Sequence, residues 1–131
     1  MSLTYSKGMA LDTPAPPFSL PGVDGRTYSL DSFREARVLV VVFTCNHCPY
    51  AQAAEARLVE LQRDYEARGV RLVAINANDA TRYADDSFEH MKLRAQERGF
   101  NFPYLWDKTQ EVARVYDAAC TPDIFVFGAD R

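Results

Sequence analysis

The sequence predicts an α/β fold, and three observations carry that expectation. Val38-Leu-Val-Val-Val-Phe43 and Val70-Arg-Leu-Val-Ala-Ile75 are short β-branched runs, the pattern of strands buried on both faces of a sheet. Between them Ala51, Ala54, Leu58, Leu61 and Tyr65 recur in steps of three and four, which lays one helical stripe against that sheet. Strand, helix and strand in this order make a βαβ unit with parallel strands. The chain has 131 residues, 47% hydrophobic and 25% charged, the size and balance of one soluble globular domain.

Ahead of this unit, Asp12 to Pro17 is Pro-rich and extended. Phe18 to Leu20 and Arg26 to Leu30 flank Pro21-Gly22-Val23-Asp24-Gly25, a small hairpin around a Gly-containing turn. Ser29 to Arg34 is a helical turn, and Gly69 is a natural stop for the long helix. Beyond the second strand, Asn76 to Asp86 is a polar loop. Asp86 and Glu89 have capping-box spacing and open a helix through Arg98, with Phe88, Met91 and Ala95 inward. Phe102 to Trp106 is extended. Asp107 and Gln110 repeat the capping spacing before a third stripe of Val112, Val115, Tyr116 and Ala119, and Ile124 to Phe127 is a final strand.

Fifteen Lys and Arg against eighteen Asp and Glu give a net charge of -3, and no basic block offers a nucleic-acid face. The longest apolar run, Val38 to Phe43, is too short to cross a bilayer. Met1 to Asp12 lacks the basic flank and apolar stretch of a secretory leader, so the expected compartment is the cytoplasm, with export left open.

The chemistry concentrates at Cys45-Asn46-His47-Cys48, between a buried strand and a helix. Three cysteines cannot form a fully paired scaffold. Backbone N–H groups and the positive dipole end of the following helix favour an anion at the first sulfur, which makes Cys45 the expected exposed, low-pKa thiol and Cys48 the shielded one. A protonated His47 adds charge in the same sense. Pro49, early in the helix, lacks an N–H that has no intrahelical partner there. A structural zinc site needs four ligands, and one C-x-x-C with Cys120 and either His47 or His90 lacks zinc-finger spacing, so redox chemistry is favoured over metal. Thr121-Pro122 precedes the last strand; alone it reads as an ordinary trans proline.

Taken together, Ala15-Pro16-Pro17-Phe18-Ser19-Leu20, Asp24-Gly25-Arg26, Phe43 to Tyr50 around the C-x-x-C, Phe102-Pro103 and Cys120-Thr121-Pro122-Asp123 give a chain that resembles a thioredoxin-fold redoxin. The likeness is to the peroxiredoxin-like branch (alkyl hydroperoxide reductase/thiol-specific antioxidant), which is itself similar to TlpA-type thiol-disulfide oxidoreductases. The resemblance implies a thioredoxin-like fold, with a central mixed sheet flanked by helices and an N-terminal hairpin extension. It implies that Pro122 is cis beside the C-x-x-C, that Thr121 and Thr44 contact substrate, and that Cys45 attacks while Cys48 resolves. It also implies a terminal strand and helix after Phe127, so residues 1–131 are expected to be one redoxin domain lacking its C-terminal strand and helix, with an exposed sheet edge open to self-association.

The departures are specific. Thr44 stands where thioredoxins carry Trp. The carboxylate that serves them as a buried proton acceptor has no counterpart within Val38 to Phe43; Asp79 and Glu55 are possible substitutes, although turn capping and a solvated helix face explain them equally. The P-x-x-x-T-x-x-C of peroxiredoxins is not reproduced, and the Arg of their peroxide site cannot be identified. Three functional readings result. The first is a cofactor-free thiol-disulfide oxidoreductase acting on a protein or small-molecule disulfide and recycled by a thiol reductant. The second is a thiol peroxidase reducing hydroperoxides. The third is a metal-binding or copper-delivery module using Cys45, Cys48 and a His. Cys120, near the C-x-x-C in such a fold, is either a small core residue or an auxiliary redox partner.

Overall fold

The computed structural model describes residues 9–131; most of the terminus read for a leader, residues 1–8, lies outside the described residues. Two β-branched runs form the centre of a four-stranded sheet: β3 (Val38–Thr44) and β4 (Val70–Asn76) pair in parallel from Val38↔Val70 to Thr44↔Asn76. Strand β5 (Tyr104–Trp106) adds in parallel to β4, and β6 (Asp123–Phe127) adds antiparallel to β3, giving the order β5-β4-β3-β6. The sheet is therefore mixed. A separate hairpin pairs β1 (Ser19–Pro21) with β2 (Thr27–Ser29). It turns at Gly25, whose φ of 85° is cheap only for glycine, and Tyr28 donates its hydroxyl to Asp24 across it at 2.5 Å.

Side chains alternate across the sheet and build two cores. Leu39, Val41 and Phe43 face Tyr116 of α3 (Glu111–Tyr116), Phe125, Phe127 and the N-terminal residues Phe18, Leu20 and Phe33. Val40 and Val42 face Leu58 of α1 (Pro49–Tyr65) and Met91 of α2 (Phe88–Glu97). A 3-10 turn, Leu30–Phe33, connects hairpin to sheet, and Gly69, at φ 84°, ends the helical segment before β4. Among the described residues no helix is long and apolar enough to cross a membrane.

Three expectations about helix faces change. The buried side of α1 is Ala51, Glu55, Leu58 and Gln62, and Tyr65 is exposed. Gln62 is needed inside because β5 is only three residues long and leaves the first half of β4 with no strand on the edge away from β3. Its amide supplies one, donating to the Val70 carbonyl at 3.0 Å and accepting from the Leu72 N–H at 2.7 Å. Glu55 is not on a solvated face; it forms a fork with Arg94 of α2 at 2.6 and 2.7 Å. Helix α3 ends at Tyr116, so Ala119 lies beyond it, and Val115 is exposed.

Strand β6 is an edge of the sheet. Phe125 and Phe127 point into the core, whereas Ile124 and Val126, on the α1 side of the sheet, are 50% and 64% exposed.

Candidate active site

Because β3 and β4 are parallel, their C-terminal ends open on the same side of the sheet, where ligand sites of α/β sheets form. Cys45 follows the end of β3, and the loop from Ala77 to Asp86 follows the end of β4. Cys45 and Cys48 are joined by a disulfide, with Cα atoms 5.7 Å apart. The N-cap of α1 is Cys48, with Pro49 in the first turn. Its backbone N–H donates to Cys45 Sγ at 3.1 Å, so the anion-favouring contact expected of the helix terminus falls on the first sulfur.

The expected contrast in exposure between the sulfurs is absent. Cys45 is 1% exposed and Cys48 3%. Cys45 is covered by the Thr121 segment, with the Thr121 hydroxyl 3.6 Å from its sulfur, and the Thr121–Pro122 bond is cis. A cavity of about 740 Å³ opens beside the disulfide and is lined by Cys48, His47, Thr44, Thr121, Arg82 and Arg114 among others, but not by Cys45. Thr44 is buried and its hydroxyl has no hydrogen-bond partner. Cys120 lines the same cavity; its Sγ donates to the Pro122 carbonyl at 3.5 Å, and burial, followed by the Asp123 charge, pushes its pKa up.

The residue missed by sequence reasoning is Asp86. It does not cap α2. Ser87 is the N-cap, accepting the His90 N–H on its hydroxyl at 3.2 Å, and this releases Asp86 to turn inward, where it is fully buried. Its Oδ1 accepts the Asn46 N–H at 2.5 Å and Asn76 Nδ2 at 3.0 Å. Its Oδ2 accepts Asn78 Nδ2 at 3.2 Å and contacts His47 Nδ1. Tyr104 extends the network, donating to Asn46 Oδ1 at 2.7 Å and accepting from Asn76 Nδ2 at 3.2 Å; burial pushes its phenol pKa well up.

His47 stacks on Tyr83 with ring centroids 4.5 Å apart, and its Nε2 lies 4.0 Å from Cys48 Sγ. The imidazole therefore faces the second sulfur, where the sequence reading placed its influence on the first. Asp79 is only half-buried and accepts from Thr81 through both the Thr81 backbone N–H and its hydroxyl, contacts that lower the Asp79 pKa. It caps a turn and is not a buried acceptor. Neither is Glu55, which Arg94 occupies.

Cys45, His47 and Cys48 bring donor atoms within 4.8 Å of one another. The sulfurs are bonded to each other, however, and a metal binds thiolate, not disulfide. In this state the cluster is a redox centre.

Residues 11–131 match the AhpC/TSA family. The chain belongs to that family. It is similar to an uncharacterized conserved protein from Geobacillus kaustophilus at 47% identity, covering 99% of this chain and 69% of that one, with a TM-score of 0.96. A hypothetical protein from Sinorhizobium meliloti matches at 36% identity over 96% of this chain and 69% of the other, with a TM-score of 0.93. A thiol:disulfide interchange protein of the thioredoxin family from Chlorobium tepidum matches at 26% identity over 94% and 83%, with a TM-score of 0.77. No curated protein matches the chain. The AhpC/TSA assignment and the thioredoxin-like architecture agree with the resemblance seen in the sequence.

Proposed function

We propose that this AhpC/TSA-family protein is a thiol-disulfide oxidoreductase whose redox centre is Cys45-Asn46-His47-Cys48. The observation that carries the reading is the Cys45–Cys48 disulfide at the start of α1, with a backbone N–H directed at Cys45 Sγ. In the reduced protein that N–H stabilises a Cys45 thiolate. The thiolate attacks a substrate disulfide, forming a mixed disulfide and expelling one substrate thiolate. Cys48 then attacks Cys45 Sγ, closing the internal disulfide and releasing the second thiolate. The two substrate sulfurs gain the two electrons that Cys45 and Cys48 lose, and an external thiol reductant restores the pair. Thr44, Thr121 and Pro122 are the proposed substrate contacts, supported for Thr44 by its buried, unpartnered hydroxyl at the cavity. A cytoplasmic setting belongs to the same reading.

One observation favours a second reading. The cavity reaches Cys48 and not Cys45, which suits a hydroperoxide attacked by a Cys48 thiolate. That step yields a Cys48 sulfenic acid and an alcohol or water, and Cys45 then condenses with the sulfenic acid to release water and form the same disulfide. The test is maleimide labelling of the reduced protein at mildly acidic pH, mapped by mass spectrometry, beside insulin-reduction and peroxide-consumption assays. Labelling of Cys45 first, with insulin reduction, supports disulfide exchange. Labelling of Cys48 first, with peroxide consumption alone, replaces it with the peroxidase.

Self-association through the β6 edge completes the proposal, supported by exposed Ile124 and Val126. Sedimentation velocity should show oligomers that Val126→Lys disperses; a strictly monomeric wild type contradicts it.

A further inference from the structure

We infer that His47 is the base that deprotonates Cys48 for the resolving step, and that Asp86 is the positioning residue that makes it one. The inference rests on the proposed roles of Cys45 as attacking and Cys48 as resolving sulfur. Resolution needs a Cys48 thiolate, yet Cys48 is buried, and a thiol of ordinary pKa, about 8.5, is only a few per cent ionised at neutral pH. A nearby proton acceptor is required, and neither Asp79 nor Glu55 is placed to be one.

Asp86 fills a different role. A carboxylate accepts hydrogen bonds and donates none, so its contact with His47 Nδ1 assigns the ring proton to Nδ1 and leaves the Nε2 lone pair free. That lone pair is on the ring nitrogen 4.0 Å from Cys48 Sγ. The carboxylate is held in place by Asn46, Asn76 and Asn78, and the imidazole ring is stacked on Tyr83. Asn78 Nδ2 also lies 3.8 Å from Cys48 Sγ, positioned to donate to the thiolate as it forms.

The step balances. The Cys48 thiol passes its proton to His47 Nε2, giving an imidazolium paired with the Asp86 carboxylate. The Cys48 thiolate attacks Cys45 Sγ, the bond from Cys45 to the substrate sulfur breaks, and the departing thiolate takes the proton from Nε2. Besides the two sulfurs, the titratable or charged groups around this imidazole are Asp86 and Tyr83, with Arg82, whose guanidinium lies 5.8 Å from the Tyr83 ring, and Tyr50, Asp79, Arg114, Asp117 and Cys120 lining the cavity.

The test uses the reduced protein in a Cys120→Ala background, mixed with 5,5'-dithiobis(2-nitrobenzoate) in a stopped-flow instrument. The first equivalent of thionitrobenzoate reports attack by Cys45 and the second reports resolution by Cys48. With the relay, the second-phase rate depends on the neutral imidazole, so it rises with pH and then levels. In His47→Ala it should fall roughly thirtyfold at pH 7, the ratio set by a thiol of pKa about 8.5, and climb about tenfold per pH unit until it meets the wild-type rate in alkali. Asp86→Asn, checked for folding by circular dichroism, should move the second-phase profile in the same direction by less. An unchanged second-phase profile in His47→Ala overturns the relay and leaves disulfide exchange standing. Loss of the first phase in the parent protein, or a first adduct mapped to Cys48, overturns the relay together with the proposed roles of the cysteines.

Discussion

Arg94→Ala isolates the one carboxylate that α1 buries on its sheet side. Glu55 has a side chain only 6% exposed and accepts from Arg94 Nε and Nη2, at 2.6 and 2.7 Å. Its hydrogen bonds and charge hold the Arg94 guanidinium above its usual pKa despite burial. Removing one member of a buried pair costs about 3–5 kcal/mol, because the other charge is left desolvated. Arg98, 3.7 Å from Glu55 but 56% exposed, can recover a part of this, which sets the expected loss at about 3 kcal/mol. For a chain of this length that lowers Tm by about 12 °C, at about 4 °C per kcal/mol. Replacing both residues, Glu55→Met with Arg94→Met, removes the charges together and should cost about 1 kcal/mol or less, since apolar replacements of buried pairs are often neutral. Urea denaturation followed by circular dichroism measures all three proteins, and insulin reduction per folded molecule should be the same in each. A loss under 1 kcal/mol in Arg94→Ala, or a double variant no better than the single one, refutes the energetic argument. A folded double variant without insulin reduction makes Glu55 the proton acceptor after all.

Three further outcomes follow from the same contacts. In the oxidised protein Cys120 is the free thiol, and burial with Asp123 raises its pKa; iodoacetamide should modify it slowly at pH 7 and reach half-maximal rate at a higher pH than a model thiol, and an ordinary profile would contradict its burial. Tyr104 and Tyr116 both have phenol pKa values raised by burial, so the fold favours their neutral forms. Their contribution is complete below the unfolded value near pH 10 and is lost as pH climbs above it; the urea midpoint should fall steeply in that range and less steeply in Tyr116→Phe, and identical slopes would refute the assignment. Tyr104→Phe deletes the hydroxyl that joins Asn46 to Asn76, so it should cost about 1–3 kcal/mol for the buried polar groups left unpaired, checked by the same denaturation; no change would mean that the network does not need its hydroxyl.

How much of this was legible in the sequence differs by element. Strands β3 and β4 were plain because one β-branched run leads straight into the C-x-x-C and the other starts directly after a Gly stop, and the parallel pairing followed from one helix between them. The Cys45–Cys48 pair and the turn before β6 were found from motif and resemblance. The inward faces of α1 were misread because only apolar residues were counted, whereas Glu55 and Gln62 are buried by specific partners, an Arg on another helix and the open edge of β4 beyond β5. Spacing cannot reveal partners that are far away in sequence.

Asp86 was missed for a similar reason. Asp86 and Ser87 are adjacent N-cap residue types ahead of an apolar stripe, and spacing favoured the Asp because Glu89 stands three residues on. The signal that could have found it is topological. A polar loop after the second strand of a βαβ unit ends beside the loop after the first, so a carboxylate in Asn76 to Asp86 lies at the same end of the sheet as the C-x-x-C. Which carboxylate turns inward depends on Ser87 taking the cap, a competition decided by packing.

The central claim is that Cys45 and Cys48 form a reversible two-electron centre for disulfide exchange. An equilibrium titration in thiol/disulfide buffers, with free thiols counted by mass tagging, tests it most directly. The account predicts a single two-electron transition within about -270 to -120 mV, involving Cys45 and Cys48 and leaving Cys120 reduced throughout. A pair that stays reduced across that range, or a disulfide that forms with Cys120 in place of either partner, would contradict it.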